Sequence, residues 1–168
     1  MRPEHSEYLP YFSRYIDLVP GNELIETLNN AKLAFNQLLM ACTEEKSDLA
    51  YAEGKWTVKQ LIAHIIDVER VFNYRILRIA RENAPTISGF DHDEWANNNK
   101  AEHRSLAEML EEFNAVRTAT IQLFKSFSED DFTRMGTANN GPLSIRAAGF
   151  IVVGHQMHHS TILKEKYL

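Results

Sequence analysis

The stretch TVKQLIAHIIDVERVFNYRILRIARE, residues 57–82, decides the fold of this chain. Its apolar residues recur at steps of three and four, which is the spacing of one buried face on an α-helix. They are Leu61, Ile65, Val68, Phe72, Ile76 and Ile79. Thr57 and Gln60 form a capping box at its start, and Asn83 and Pro85 stop it. The pattern therefore predicts a long amphipathic helix with one side packed into a core.

Three further segments show the same helical spacing. The first opens near Asn22, which is positioned to cap it, and runs to Cys42. The next opens at a capping box formed by Ser105 and Glu108. The last begins near Ser144, directly after an Asn-Asn-Gly-Pro turn signal. No segment alternates with the period of two that is typical of a strand, so the sequence predicts an all-α four-helix bundle.

The composition is typical of one globular domain spanning residues 1–168. A chain of 168 residues with 44% apolar content can bury a core of its own. Its formal net charge of −5 argues against binding to nucleic acid or to a membrane surface. No apolar run is long enough to cross a membrane, and the N-terminus lacks the pattern of a secretory signal. The single cysteine, Cys42, cannot form an internal disulfide, so we expect a buried thiol and a cytoplasmic location.

Three histidines provide the strongest functional signal. His155 and His159, in the stretch GHQMHHSTIL (154–163), are four residues apart and share one face of the last predicted helix. His64 lies at the edge of the apolar face of the helix at 57–82. A buried imidazole needs a partner for its ring nitrogens, and a metal ion can supply one. We therefore expect a three-histidine metal site with open coordination positions; the alternative is three core histidines with ordinary hydrogen-bond partners.

Other polar and aromatic residues could complete such a site. The candidates for a general base are the carboxylates of Asp67, Asp91, Asp93 and Glu94. His92, between two aspartates, could bind a metal weakly, although a solvated acidic loop is the more ordinary interpretation. Arg75 and Arg78 could receive an anionic cofactor or form only a solvated basic flank. Trp56 and Trp95 could line a cleft or simply pack at the end of the bundle.

Three stretches resemble the DinB superfamily, also called the DinB/YfiT-like metalloprotein family. They are KWTVKQLIAHIIDVERVFNYRILRIAR, GFDHDEWANNN and GPLSIRAAGFIVVGHQMHHSTIL, which follow one another in the family's order. The resemblance implies a four-helix bundle with a divalent metal, often nickel or zinc, held by one histidine of the second helix and two of the last. By this resemblance the ligands are His64, His155 and His159, whereas His158 matches a frequent histidine that is not a ligand.

The resemblance leaves the reaction open. Characterised members include S-transferases that use low-molecular-weight thiols such as bacillithiol, and many others are described as metal-dependent hydrolases. Three neutral histidines leave the charge of a metal uncompensated, so a bound thiol or water would lose its proton more readily. We expect an enzyme acting on a small molecule, with thiol S-transfer first and hydrolysis second. A structural metal in a stress-related bundle is the third alternative, and the resemblance also allows a homodimer.

Overall fold

The computed structural model describes residues 1–168 and places four long helices side by side. They are α2 (Leu24–Met40), α4 (Val58–Arg81), α6 (Leu106–Lys125) and α7 (Ile145–Lys166). The three short helices are α1 (Ser13–Ile16), α3 (Glu44–Ser47) and α5 (His92–Asn98). Helices α2 and α4 each pack against both α6 and α7, so α2 and α4 face each other across the bundle. The predicted four-helix bundle is confirmed, and none of its helices combines the length and the apolar character needed to cross a membrane.

Three of the four long helices begin where the sequence predicts, at the capping boxes of Thr57 and Ser105 and directly after Ser144. The Thr57 hydroxyl accepts a hydrogen bond from the backbone N–H of Gln60, and the Gln60 side chain accepts one from the N–H of Thr57. Ser105 and Glu108 form the same reciprocal pair at the start of α6. Ser144 caps α7 by accepting a backbone N–H with its hydroxyl. Side-chain caps satisfy N–H groups that have no partner inside a helix, so the local sequence determines where these helices begin.

The prediction that Asn22 caps the first long helix is wrong. Because α2 begins at Leu24, Glu23 occupies the capping position, and its side chain makes no capping hydrogen bond. The carbonyl oxygen of Asn22 instead accepts a hydrogen bond of 2.8 Å from the N-terminal amine of Met1. This long-range contact, which no local pattern reveals, holds the N-terminus beside the start of α2.

A small three-stranded sheet lies between the end of α4 and the start of α7. Strand β1 (Thr86–Ile87) pairs in parallel with β2 (Met135–Ala138), which pairs antiparallel with β3 (Gly141–Ser144). Asn139 and Asn140 join β2 to β3 with φ values of 50° and 62°, the left-handed conformation of a tight hairpin turn. The sequence predicts the turn but not the strands, because such short strands show no measurable alternation.

A buried polar layer crosses the bundle between two apolar clusters. Arg117 of α6 is fully buried, and its guanidinium donates to both carboxylate oxygens of Glu69 on α4, each at 2.8 Å. It also donates to the Gln156 side chain on α7 at 2.9 Å, and the Thr120 hydroxyl donates to Glu69. Backbone carbonyls of α2 accept from Arg117 and Gln156. The layer therefore links all four long helices through groups that satisfy one another.

The short helix α1 packs very closely against α7. A Cβ atom at Gly154 would lie 2.0 Å from the backbone carbonyl oxygen of Tyr15, so the contact requires a residue without a side chain. The approach brings the Tyr15 ring to 5.3 Å from the ring of His155, measured between centroids. The N-terminal segment thereby becomes part of the surroundings of the histidines on α7.

Candidate metal centre

His64, His155 and His159 converge at the interface of α4 and α7. Their exposed fractions are 7%, 6% and 8%, so all three are buried. The Nε2 atom of His155 lies 3.0 Å from Nε2 of His64 and 3.1 Å from Nε2 of His159. One candidate ligand atom from each residue lies within 4.8 Å of the other two. The fold thus brings together the three histidines that the sequence singles out.

The arrangement of these nitrogens fits a divalent metal ion. Nε2 of His155 has two nitrogen neighbours, but an imidazole nitrogen either donates or accepts one directed hydrogen bond. A hydrogen bond can therefore account for only one of these two contacts. Imidazole nitrogens held at about 2.0–2.1 Å from one ion lie roughly 3 to 3.4 Å apart. Both observed separations agree with this range. A cation could accept a lone pair from each of the three imidazoles, which no hydrogen-bonding pattern among them achieves.

Burial keeps the three imidazoles neutral. It lowers the pKa of His64 to about 4 and the pKa of His159 to about 3, and the neighbouring histidines add to the effect. Burial also lowers the pKa of His155. Neutral imidazole is the form that offers a lone pair to a metal. The site is therefore ready to bind a cation at neutral pH without first releasing protons.

The lowered pKa values predict that the metal-free protein loses stability in mild acid. In the unfolded chain a histidine takes up a proton near its ordinary pKa of 6.5, whereas folded His64 does so only near pH 4. The unfolded state therefore binds more protons between these values, and stability falls as the pH drops through this window. Thermal unfolding of the metal-free protein should show a midpoint that decreases over this range. A His64→Gln variant should show a shallower decrease; an identical slope would contradict the prediction.

A cavity of about 230 Å³ adjoins the three histidines. Much of its wall is aromatic, formed by Tyr11, Phe12, Tyr15, Trp56, Phe72 and Phe90. Arg14 and Arg75 also line it, and no carboxylate does. With neutral histidines, these two guanidinium groups make the cavity electropositive although the whole chain carries a net charge of −5. The site therefore has the charge to attract an anion.

The two tryptophans occupy different environments. Trp56 lines the cavity, with its ring centroid 4.7 Å from that of His64 and 6.4 Å from that of His159. Trp95 is 43% exposed and packs against Phe90 at 4.6 Å between centroids. The cleft-lining interpretation therefore holds for Trp56, and the packing interpretation holds for Trp95.

None of the predicted carboxylates is part of the wall of this cavity. Asp67 is half-buried and lies 3.7 Å from the guanidinium of Arg70. Asp91 caps α5 by accepting hydrogen bonds from the backbone N–H groups of Asp93 and Glu94, whose side chains are exposed. None of the predicted acids lines the cavity that all three histidines share, although Asp93 lines a second cavity together with Trp56 and His159.

Two other histidines do line this cavity. The ring of His92 lies 6.2 Å from the ring of His64, so the long loop contributes an imidazole to the site while its acids face solvent. The ring of His158 lies 5.1 Å from that of His159 and 5.5 Å from that of Tyr15. These imidazoles surround the three converging histidines without joining their close nitrogen cluster.

Among the remaining predicted residues, Arg75 reaches the cavity and Arg78 does not. Arg78 points to the surface, where its guanidinium forms an ion pair with Glu82. Cys42 is buried in an apolar cluster, and burial raises the pKa of its thiol. As expected from the sequence, Cys42 is a core residue.

The N-terminal part of the site was not apparent from the helical patterns. Tyr11, Phe12, Arg14 and Tyr15 all line the cavity, although they precede the first long helix. Their sequence signal is the aromatic run YFSRY, which contains an arginine and has no helical stripe. Its place in the site depends on the packing of α1 against α7.

Fold and site together define a four-helix-bundle protein with a candidate three-histidine metal centre and an adjoining electropositive cavity. The model of the DinB superfamily matches residues 28–163, and the chain belongs to this superfamily.

Similar proteins of known sequence and structure agree with this membership. A Geobacillus thermodenitrificans protein named "Putative metal-dependent hydrolase" is 30% identical over 146 residues, covering 82% of this chain and 79% of that protein. "Putative metal-dependent hydrolase YfiT" of Bacillus subtilis is 26% identical over 168 residues, covering 95% and 89%. The solved structure of Bacillus subtilis YfiT, described as an unusual four-helix bundle, matches with a TM-score of 0.77 and 18% identity. That match covers 98% of this chain and 90% of YfiT, and it supports the fold.

Proposed function

We propose that this protein is a metal-dependent enzyme that transfers a low-molecular-weight thiol to an electrophilic small molecule. The observation that carries the proposal is the cavity wall, which contains two arginines and no carboxylate. Hydrolysis by an activated water gains from a carboxylate base beside the metal. A thiol is far more acidic than water and has less need of such a base. The absence of a carboxylate from this wall therefore favours thiol chemistry over hydrolysis.

In this proposal His64, His155 and His159 hold the metal, with nickel or zinc as the candidates. Imidazole nitrogen is a suitable ligand for either ion, and three protein ligands leave further positions open for a substrate. The bound ion would supply a positive charge that lowers the pKa of a thiol. A structural site is normally closed by four protein ligands, whereas these three adjoin a cavity, which favours an enzyme over a structural metal.

The aromatic residues of the cavity wall orient the thiol. The rings of Trp56 and Tyr15 lie close to His64 and His155, so a sulfur atom bound beside the histidines would contact apolar ring surfaces. The thiol sulfur attacks an electrophilic carbon, whose leaving group departs with its bonding electrons. The thiol proton passes to solvent or to a nearby imidazole such as His158.

Hydrolysis is the second candidate function. The specific observation that favours it is the presence of His92 and His158 in the cavity wall, since imidazole is the commonest general base in enzymes. The names of the similar Geobacillus and Bacillus proteins point in the same direction.

A direct assay separates these functions. Protein loaded with zinc or nickel is mixed with 2-mercaptoethanol and chlorodinitrobenzene, and the thioether product is followed by its absorbance. The proposal predicts a rate above that of the uncatalysed reaction, which is lost on chelation while the helical circular-dichroism signal remains. Hydrolysis of nitrophenyl acetate serves as the parallel assay. Metal-dependent ester hydrolysis without any thioether formation across a panel of thiols would favour the second candidate, and unfolding on chelation would favour a structural metal.

A further inference from the structure

Arg75 is a buried cation without a partner in the protein. It is 4% exposed, and its Nε atom is buried with no hydrogen-bond partner. Its guanidinium lies 4.9 Å from the ring centroid of Phe72 and 5.8 Å from that of Phe90, both of which line the cavity. Burial lowers the pKa of Arg75, and no neighbouring charge contributes. An arginine nevertheless stays protonated at neutral pH, so the positive charge remains.

The other deeply buried arginine of this chain, Arg117, has partners within the protein. Arg117 forms two hydrogen bonds with the carboxylate of Glu69 and one with the side chain of Gln156. A buried charge is costly unless it is paired and hydrogen-bonded, and Arg117 meets both conditions. Arg75 meets neither, although its guanidinium lines the cavity. The contrast indicates that the partner of Arg75 comes from outside the chain.

Arg75 and His64 lie on the same face of α4. They are eleven residues apart, so their side chains project in directions about 20° apart and their Cα atoms are separated by about 16 Å along the helix axis. Val68 and Phe72 lie between them on this face, and both line the same cavity. The cavity therefore extends along α4 from the three histidines towards the guanidinium.

We propose that Arg75 binds a carboxylate group of the ligand, at the end of the cavity away from the three histidines. A guanidinium matches a carboxylate in shape and charge and can hold it through two hydrogen bonds. No carboxylate of the chain lines the cavity to compete for this position. Arg14, whose guanidinium donates to the hydroxyl of Tyr15 at 2.6 Å, adds a second positive charge to the wall. The ligand is thus a small carboxylic acid. That the same ligand also carries a thiol rests on the proposed function.

Two ligands that differ only in the anionic group test this assignment. Binding of 6-mercaptohexanoate and 6-mercapto-1-hexanol to the zinc-loaded protein is measured by calorimetry. The carboxylate should bind about tenfold more tightly or better, since a hydrogen-bonded ion pair replaces a neutral contact. Arg75→Met should abolish this preference. Arg78→Met is the matched control, because Arg78 lies one turn along the same helix but pairs with Glu82 at the surface, and it should keep the preference.

Equal binding of the two ligands by the wild-type protein would overturn the assignment, as would a preference that survives in Arg75→Met. Thermal unfolding adds a readout that does not depend on any ligand. Because Arg75→Met replaces an unpaired buried cation with an apolar side chain, the variant should unfold at the same temperature as the wild type or at a higher one. A large decrease in the midpoint would show that Arg75 serves the fold and would also overturn the assignment.

A metal-free experiment distinguishes this inference from the proposed function. Hexanoate and 1-hexanol carry no thiol, so their binding to the metal-free protein depends only on the carboxylate end. A preference for hexanoate that disappears in Arg75→Met supports the carboxylate site even where thiol transfer is not detected. Thiol transfer by a protein that shows no preference for hexanoate would overturn the carboxylate site alone.

Discussion

The His155→Ala variant should lose its bound metal, with the content falling from about one ion per chain in the wild type to almost none. His155 provides the nitrogen that lies closest to both of the others, at 3.0 Å from His64 and 3.1 Å from His159. Without it, two imidazoles on different helices remain, which is too few ligands to hold an ion against buffer or chelator. Metal content after loading with zinc or nickel is measured by mass spectrometry on untagged protein.

His64→Ala and His158→Ala are the matched comparisons for this experiment. His64→Ala should lose the metal as well, whereas His158→Ala should keep it, because His158 lines the cavity outside the close nitrogen cluster. Stoichiometric metal in His155→Ala would contradict the proposed ligand set. If the wild-type protein takes up no metal even after loading, all three histidines are core residues and not metal ligands.

The Arg117→Met variant should lose a large part of the stability of the bundle. It leaves the carboxylate of Glu69, which is 2% exposed, without the guanidinium that donates to both of its oxygens. Breaking a buried ion pair from one side costs about 3–5 kcal/mol, because an uncompensated charge stays behind. The free energy of unfolding is measured by urea denaturation of the metal-free protein at neutral pH.

A double variant provides the control for that prediction. Arg117→Met combined with Glu69→Leu removes both charges and should recover much of the lost stability, since no unpaired charge remains in the core. Breaking the surface pair of Arg78 and Glu82 by Arg78→Met should change the unfolding midpoint little. An Arg117→Met protein as stable as the wild type would show that the polar layer contributes nothing to the free energy of unfolding.

The helices could be predicted in detail because their signals are local. The capping boxes at Thr57 and Ser105 lie where the structure begins α4 and α6, and both consist of residues within one turn of each other. The predicted start near Asn22 lies two residues before the observed start at Leu24, and the Asn22 carbonyl oxygen binds the N-terminal amine of Met1, which lies outside that segment. The strands of the small sheet were not predicted because they are only two to four residues long, and because β1 pairs with a segment about fifty residues away.

The candidate site shows the same division between local and long-range information. His155 and His159 share a helix face by spacing alone, and the family resemblance points to His64 as the third member. Their convergence to about 3 Å depends on how α4 packs against α7. From the sequence, two arginines on α4 are candidates to bind an anion and several acids are candidates for a general base. The sequence does not show which of them lie at the site. In the folded protein Arg75 is buried in the cavity wall and Arg78 lies at the surface. None of the acids is part of the cavity wall.

By itself, the sequence determined an all-α chain with four amphipathic helices and a pair of histidines one helical turn apart. Both follow from contacts between residues three or four apart, which a linear pattern records. The tertiary structure alone decided that Tyr15 and Trp56 enclose the histidines, that Arg117 is paired with Glu69 while Arg75 is not, and that no carboxylate enters the cavity. These features depend on the directions in which side chains from distant segments meet, and no spacing within a single helix specifies them.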